Sequence, residues 1–174
     1  MSELVDAVKT YSHMDGAPEQ EADVHDGNES TLRILAHRFK LGPTLERAYD
    51  RGIPRVWTLV GALNQVWTNL IDNAIDAAGP AGKVTVQTLR DGGRVRVEIC
   101  DNGPGIPDSL RPRIFEPFFT TKPVGRGTGL GLDMARRIVN ERCAGEIGVS
   151  SVPGDTRFWV RLPTSEGRKV LPEP

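Results

Sequence analysis

Leu63-Asn-Gln-Val-Trp-Thr-Asn-Leu-Ile-Asp-Asn-Ala-Ile-Asp-Ala77 is the stretch from which the rest of this 174-residue chain is read. A helix expected over 62–78 carries Asn69 and Asn73 four positions apart, so both carboxamides share one face. That face can look into a pocket. Downstream, Asp101-Asn-Gly-Pro-Gly105 follows the apolar run Val95-Arg-Val-Glu-Ile-Cys100, which leaves an acidic acceptor where a strand ends. Gly103 and Gly105 permit close backbone approach beside that acid, and Pro104 sets the turn between them. Further on, Gly125-Arg-Gly-Thr-Gly-Leu-Gly-Leu132 runs into a helix expected over 130–139. Successive free amides at a positive helix end form a phosphate cradle. Each motif alone has an ordinary reading: helix polarity, a plain β-turn, a flexible loop. Their order and spacing within one short domain favour a nucleotide pocket.

Outward from these motifs, 84–89 and 94–100 alternate as antiparallel strands around the hairpin signal Asp91-Gly-Gly93, and 146–151 pairs with 156–162 through Pro153-Gly-Asp155. Short strands are expected at 22–25 and 44–49, and a first domain helix at 29–38. Residues 3–12 read as a short helix with Leu4, Val8 and Tyr11 on one side. Residues 164–174 read as a frayed tail. The stretch 107–125 runs over the proposed pocket as a lid, with Phe115, Phe118 and Phe119 as its anchors or as plain core residues.

Composition suits one compact core. The chain is 38% hydrophobic, and 22 basic residues balance 23 acidic ones, which leaves no nucleic-acid footprint and no polybasic membrane patch. No apolar run approaches the about 18 residues of a membrane span, so a cytoplasmic domain is expected. Cys100 and Cys143 lack zinc-like spacing, and Gly145 is expected to take a positive φ after the preceding helix. A P-loop string and the protein-kinase motif set are both missing.

These residues resemble the ATP-binding catalytic domain of sensor histidine kinases, in the superfamily of DNA gyrase B, the Hsp90 chaperones and MutL. The match covers about residues 22–163: Leu63 to Ala77 is similar to the N box, Asp101-Asn-Gly-Pro-Gly-Ile-Pro107 to the G1 box, Ile114-Phe-Glu-Pro-Phe-Phe-Thr-Thr-Lys122 to the F box and Gly127-Thr-Gly-Leu-Gly-Leu132 to the G2 box. The resemblance implies an α+β, two-layer Bergerat fold: a mixed, mostly antiparallel sheet with helices on one face. It implies ATP and Mg²⁺ as ligands, with Asn73 on the metal and Asp101 reading the adenine amino group. Asn69, Asp76, Gly103, Gly105, Ile106, Phe118, Lys122, Gly125, Arg126, Gly127, Thr128, Gly129, Leu130, Gly131 and Thr156 are the further nucleotide contacts it implies. Residues 1–17 resemble the close of a dimerisation helix.

Mechanism turns on Asn69, because gyrase-like and Hsp90-like relatives place a glutamate there to activate water. A carboxamide is no general base near neutral pH. ATP hydrolysis is therefore expected to be poor, with Asn69 and Lys122 serving to position the γ-phosphoryl for transfer to a protein side chain. In the family that acceptor is a histidine on a dimerisation domain, which then serves a response regulator. None of His13, His25 or His37 has the flanking acid and proline of that motif, and all three are expected to be ordinary surface or half-buried residues. Two alternatives stand beside this one: an anti-sigma-factor-like serine protein kinase, and a silent ATP-dependent interaction module.

Overall fold

The computed structural model describes residues 18–168. The helix expected over 3–12 lies outside them. Five strands form the main sheet in the order β2-β4-β5-β7-β6: β2 (Thr44–Tyr49), β4 (Lys83–Asp91), β5 (Arg94–Asp101), β6 (Glu146–Val152) and β7 (Asp155–Pro163). Every pairing is antiparallel except β2 with β4. That pair is parallel because the chain crosses over between them through β3 (Val56–Thr58) and the long helix α3 (Val60–Ala78). A separate two-stranded ribbon joins β1 (Gln20–Ala22) to β3.

Period-two alternation places Val84 and Val86, Val95, Val97 and Ile99, and Phe158, Val160 and Leu162 on the buried face. Against them packs the apolar side of α3, with Val66, Trp67, Leu70 and Ile71 fully enclosed. Two-residue turns close both hairpins. Gly92 takes φ +62° between β4 and β5, and Gly154 takes φ +86° after Pro153 between β6 and β7.

The N-terminal half departs from expectation. The first strand ends at Ala22, and α1 (Val24–Ile34) starts where the Asp23 carboxylate accepts the His25 backbone N–H at 2.9 Å. The helix thus begins five residues before the expected start at 29, and Leu35 separates it from α2 (Ala36–Lys40). Gly27 sits inside α1, where a Cβ would lie 2.6 Å from the Asn64 carboxamide oxygen of α3. His25 is a correction too: only 2% exposed, it meets the Thr88 hydroxyl through Nε2 at 2.8 Å and Asp23 through Nδ1 at 2.7 Å, with its ring against Tyr49.

The expected helix over 130–139 is α4 (Gly131–Arg137), continued by a π turn at Ile138–Arg142. Ala144, not Gly145, takes the positive φ that follows. Gly145 is needed for another reason, since a Cβ there would lie 2.5 Å from the Arg161 carbonyl oxygen. The frayed tail does not start at Thr164: that residue bridges Val56, the Ser165 N–H donates to the Arg55 carbonyl at 2.9 Å, and α5 (Ser165–Arg168) follows. Residues 169–174 lie outside the described part.

Candidate functional site

The polar side of α3 bears Asn69, Asp72, Asn73 and Asp76, spaced at the three- and four-residue steps that keep one helical face continuous. Their opposite side is anchored in the core, so the pocket wall is rigid. Asp101, the last residue of β5, stands in register between Val84 and Thr156 and is 5% exposed. Its carboxylate accepts the Gly103 N–H at 2.9 Å. Burial raises its pKa above the usual carboxylate value, Gly103 works the other way, and nearby Asp155 adds to the rise.

The turn after Asp101 needs its glycines. A Cβ on Gly103 would lie 2.3 Å from the Ala77 carbonyl oxygen, and one on Gly105, at φ +86°, would lie 3.0 Å from the Val152 backbone. The Ile106 N–H donates to the Ser151 hydroxyl at 2.8 Å, and that hydroxyl meets the Thr156 hydroxyl at 2.7 Å. Asp101, Ile106 and Thr156 are thus neighbours in the lining of a cavity of about 570 Å³, which Phe158 also lines. The size suits a nucleotide.

On the α3 wall, Asn69 donates through its amide to the Gly131 carbonyl at 3.1 Å, which ties α3 to the start of α4. Lys122 donates to the Asn73 carboxamide oxygen at 3.3 Å and pairs with Asp76 at 2.5 Å. An ammonium resting on Asn73 Oδ1 shows that this oxygen accepts a cation, which fits the hard-oxygen chemistry of magnesium. Arg126, Thr128 and Gly129 line the cavity as well.

Most of the expected site residues come together here: Asn69, Asn73, Asp76, Asp101, Gly105, Ile106, Lys122, Arg126, Thr128, Gly129, Gly131 and Thr156 all line the cavity. Gly103, Phe118, Gly125, Gly127 and Leu130 do not line it. Phe118 is the clearest correction, being 74% exposed at φ +67°, with its N–H donating to the Gly129 carbonyl at 2.8 Å. It clasps the glycine run through its backbone rather than anchoring a lid by its ring. Phe115 and Phe119 are the aromatics that pack against the core, Phe115 edge-on against Phe158. Gly127 lies against Thr120 and Lys122.

The expected lid is also part wall. Pro107, Leu110, Ile114 and Phe119 line the cavity, and a 3-10 turn at Arg111–Arg113 interrupts the segment. Asp72 was missed, although its position three residues after Asn69 already placed it on the same face. Nothing in the sequence singled out Ser151, whose role comes from strand register.

Comparison with known proteins agrees with this geometry. The family model described as histidine kinase-, DNA gyrase B- and HSP90-like ATPase matches residues 59–166. The sensory histidine kinase/phosphatase NtrB of Rhizobium leguminosarum bv. phaseoli is 32% identical over 179 residues, which cover 94% of this chain and 46% of that protein. The chain spans about half the length of that curated relative. Among solved structures, the nucleotide-free catalytic domain of histidine kinase ThkA superposes with a TM-score of 0.78 at 30% identity, covering 87% of this chain and all of that one. ThkA in complex with its response regulator TrrA gives 0.74 at 26% identity, over 94% of this chain and 48% of that one.

Proposed function

Because the chain belongs to the histidine kinase-, DNA gyrase B- and HSP90-like ATPase family and is a histidine-kinase ATP-binding catalytic domain, we propose that it binds Mg²⁺·ATP in this cavity and presents the γ-phosphoryl to a histidine on a dimerisation domain. The observation that carries this is that one cavity is lined both by a buried acceptor, Asp101, and by Asn73 and Lys122.

Asp101 accepts the adenine amino group, with Thr156 supporting the base beside it. Asn73 Oδ1 is the protein's ligand to the metal, which neutralises charge on the phosphates when bound. Lys122 and Arg126 add positive charge to the cavity lining. Asn69 cannot take a proton from water, so it holds the glycine run in place and hydrolysis stays slow. The chemistry is positioning plus charge neutralisation.

NtrB and ThkA as relatives support a two-component role with a response regulator downstream, and they favour it over the serine-kinase and silent-module alternatives. Among the described residues no helix is long and apolar enough to cross a membrane. We place this domain in the cytoplasm, where ATP is available.

Calorimetry with a non-hydrolysable ATP analogue, with and without Mg²⁺, is the first test, and metal-dependent binding is the expected result. Phosphate transferred in trans to a histidine-bearing dimerisation domain should be acid-labile. An acid-stable phosphoprotein would favour the serine kinase instead, and no transfer would favour the silent module.

A further inference from the structure

Asp76 uses both of its carboxylate oxygens. One accepts Arg38 of α2 at 2.5 Å, and the other accepts Lys122 at 2.5 Å. Arg38 also pairs with Asp72 one turn earlier on the same helix. Lys122 belongs to the segment that joins the phenylalanines to the glycine run, and its ammonium reaches Asn73 Oδ1 as well, at 3.3 Å. The lysine therefore spans two oxygen acceptors on α3, one of which is the metal ligand assigned above.

Asp76 is held charged for this task. Burial alone would raise its pKa, but hydrogen bonds from Lys122 and Arg38 bring it below the usual carboxylate value. Arg38, fixed between Asp72 and Asp76, keeps the carboxylate from swinging toward solvent. Val124, two residues beyond Lys122, is fully exposed, and a Cβ on Gly125 would meet nothing within 4 Å. Contacts on either side thus do little to hold this part of the segment, and Lys122 is its tether to α3.

The geometry points to Asp76 as a positioning residue that parks Lys122 on Asn73 in the nucleotide-free protein, so that an ammonium ion stands in for the divalent cation. It rests on the Mg²⁺·nucleotide function proposed above. The metal that arrives with the phosphates must take Asn73 Oδ1 from Lys122. The displaced lysine is then free to turn toward the phosphates, which couples metal binding to release of the segment. A protein cation and a metal compete here for one oxygen, and Asp76 sets the strength of the competitor.

The test is a magnesium titration of the full chain at a fixed, saturating concentration of a non-hydrolysable ATP analogue, in wild type, Asp76→Asn, Lys122→Gln, the double variant and Arg38→Gln. If Asp76 parks the lysine, Asp76→Asn lowers the half-saturating Mg²⁺ concentration by about two- to fivefold, as loss of a partly exposed ion pair predicts. Lys122→Gln should lower it similarly, and the double variant should show no further fall, because both changes remove one interaction. Arg38→Gln, which leaves the lysine pair intact, should produce a smaller fall than Asp76→Asn.

Hydrogen exchange on the nucleotide-free protein supplies a readout independent of the metal. Asp76→Asn should speed exchange at the Lys122 and Arg126 amides, which are bonded within the segment to Thr120 and Pro123. A rise in the magnesium requirement of Asp76→Asn would overturn the inference and make Asp76 a support for the metal itself. Unchanged titrations and unchanged exchange would also overturn it, while leaving nucleotide binding in place. Absence of analogue binding in every protein, wild type included, would instead remove the function on which the inference rests.

Discussion

At the scale of single residues, Asp101 has two hydrogen-bonding duties that a carboxamide cannot share. The Gly103 N–H needs an acceptor and already takes one of its oxygens. In Asp101→Asn the amide oxygen would turn to Gly103, and its NH₂ would then face the adenine amino group, donor against donor. Nucleotide affinity should fall by about 1.5–3 kcal/mol, or roughly ten- to a hundredfold, with the fold retained; calorimetry beside a thermal melt measures both. Because burial raises the Asp101 pKa, wild-type affinity should also decline on acidification at a higher pH than an ordinary carboxylate would dictate. Loss of fold stability in acid comes from other groups, because the raised pKa of Asp101 favours the fold as pH falls. Burial would raise Glu29 and Asp76, but hydrogen bonds from Arg47 and Tyr49 to the first, and from Lys122 and Arg38 to the second, hold both below 4.5 and 3.8. A lowered folded pKa contributes stability above the unfolded value, and that contribution is lost as pH falls through the folded one. Acid melts below about pH 4.5 should therefore cost Glu29→Gln and Asp76→Asn less stability than they cost wild type.

At the scale of elements, the junction between the F-box segment and the glycine run depends on one backbone position. Gly129 takes φ +70°, and a Cβ there would lie 2.3 Å from the Phe118 carbonyl carbon. Its own carbonyl accepts the Phe118 N–H. In Gly129→Ala the two strands of this clasp must part, and a left-handed alanine adds strain of about 1 kcal/mol. We expect nucleotide affinity to drop at least tenfold, while far-ultraviolet circular dichroism stays unchanged, because neither strand of the clasp belongs to the sheet. Retained affinity would show that the clasp is dispensable to the pocket. The same reasoning explains why α3 is the firm side of the site. Its apolar face is locked under the sheet by Trp67, Leu70 and Ile71, whereas the segment that carries Lys122 also carries the fully exposed Val124.

At the scale of the whole molecule, the cavity lies between a helix that belongs to the core and a segment that belongs to the surface, so a ligand that touches both should stabilise the folded chain by linkage. At a hundred times its dissociation constant, Mg²⁺ with a non-hydrolysable ATP analogue should add about 2.7 kcal/mol, which for a domain of this size raises the melting temperature by roughly 5–10 °C. Differential scanning calorimetry measures this directly. The same nucleotide without metal should give a smaller shift, since Asn73 then keeps Lys122 as its partner.

Much of this was readable in the chain itself. The pocket's chemistry resides in short-range spacings: Asn69 and Asn73 four apart on a helix, Asp101 at a strand's end, glycines where backbone must pass backbone. Such features obey helical and strand periods that hold before any tertiary contact forms. The strands from β4 to β7 alternated clearly enough for their pairing to be expected, and β2 was legible from end to end. What required the tertiary structure was every feature set by a partner distant in sequence. Asp23 starts α1 earlier than the polar run around it suggested, and the helix is held there by His25 against Thr88. Ser151 enters the site through strand register, Ala144 takes the positive φ while Gly145 lies against the Arg161 carbonyl, and Lys122 meets Asp76 of α3. Local sequence determined which elements form and which side chains could do chemistry. Long-range packing decided which of them meet, because a contact between residues far apart in the chain exists only once the core has brought their elements together.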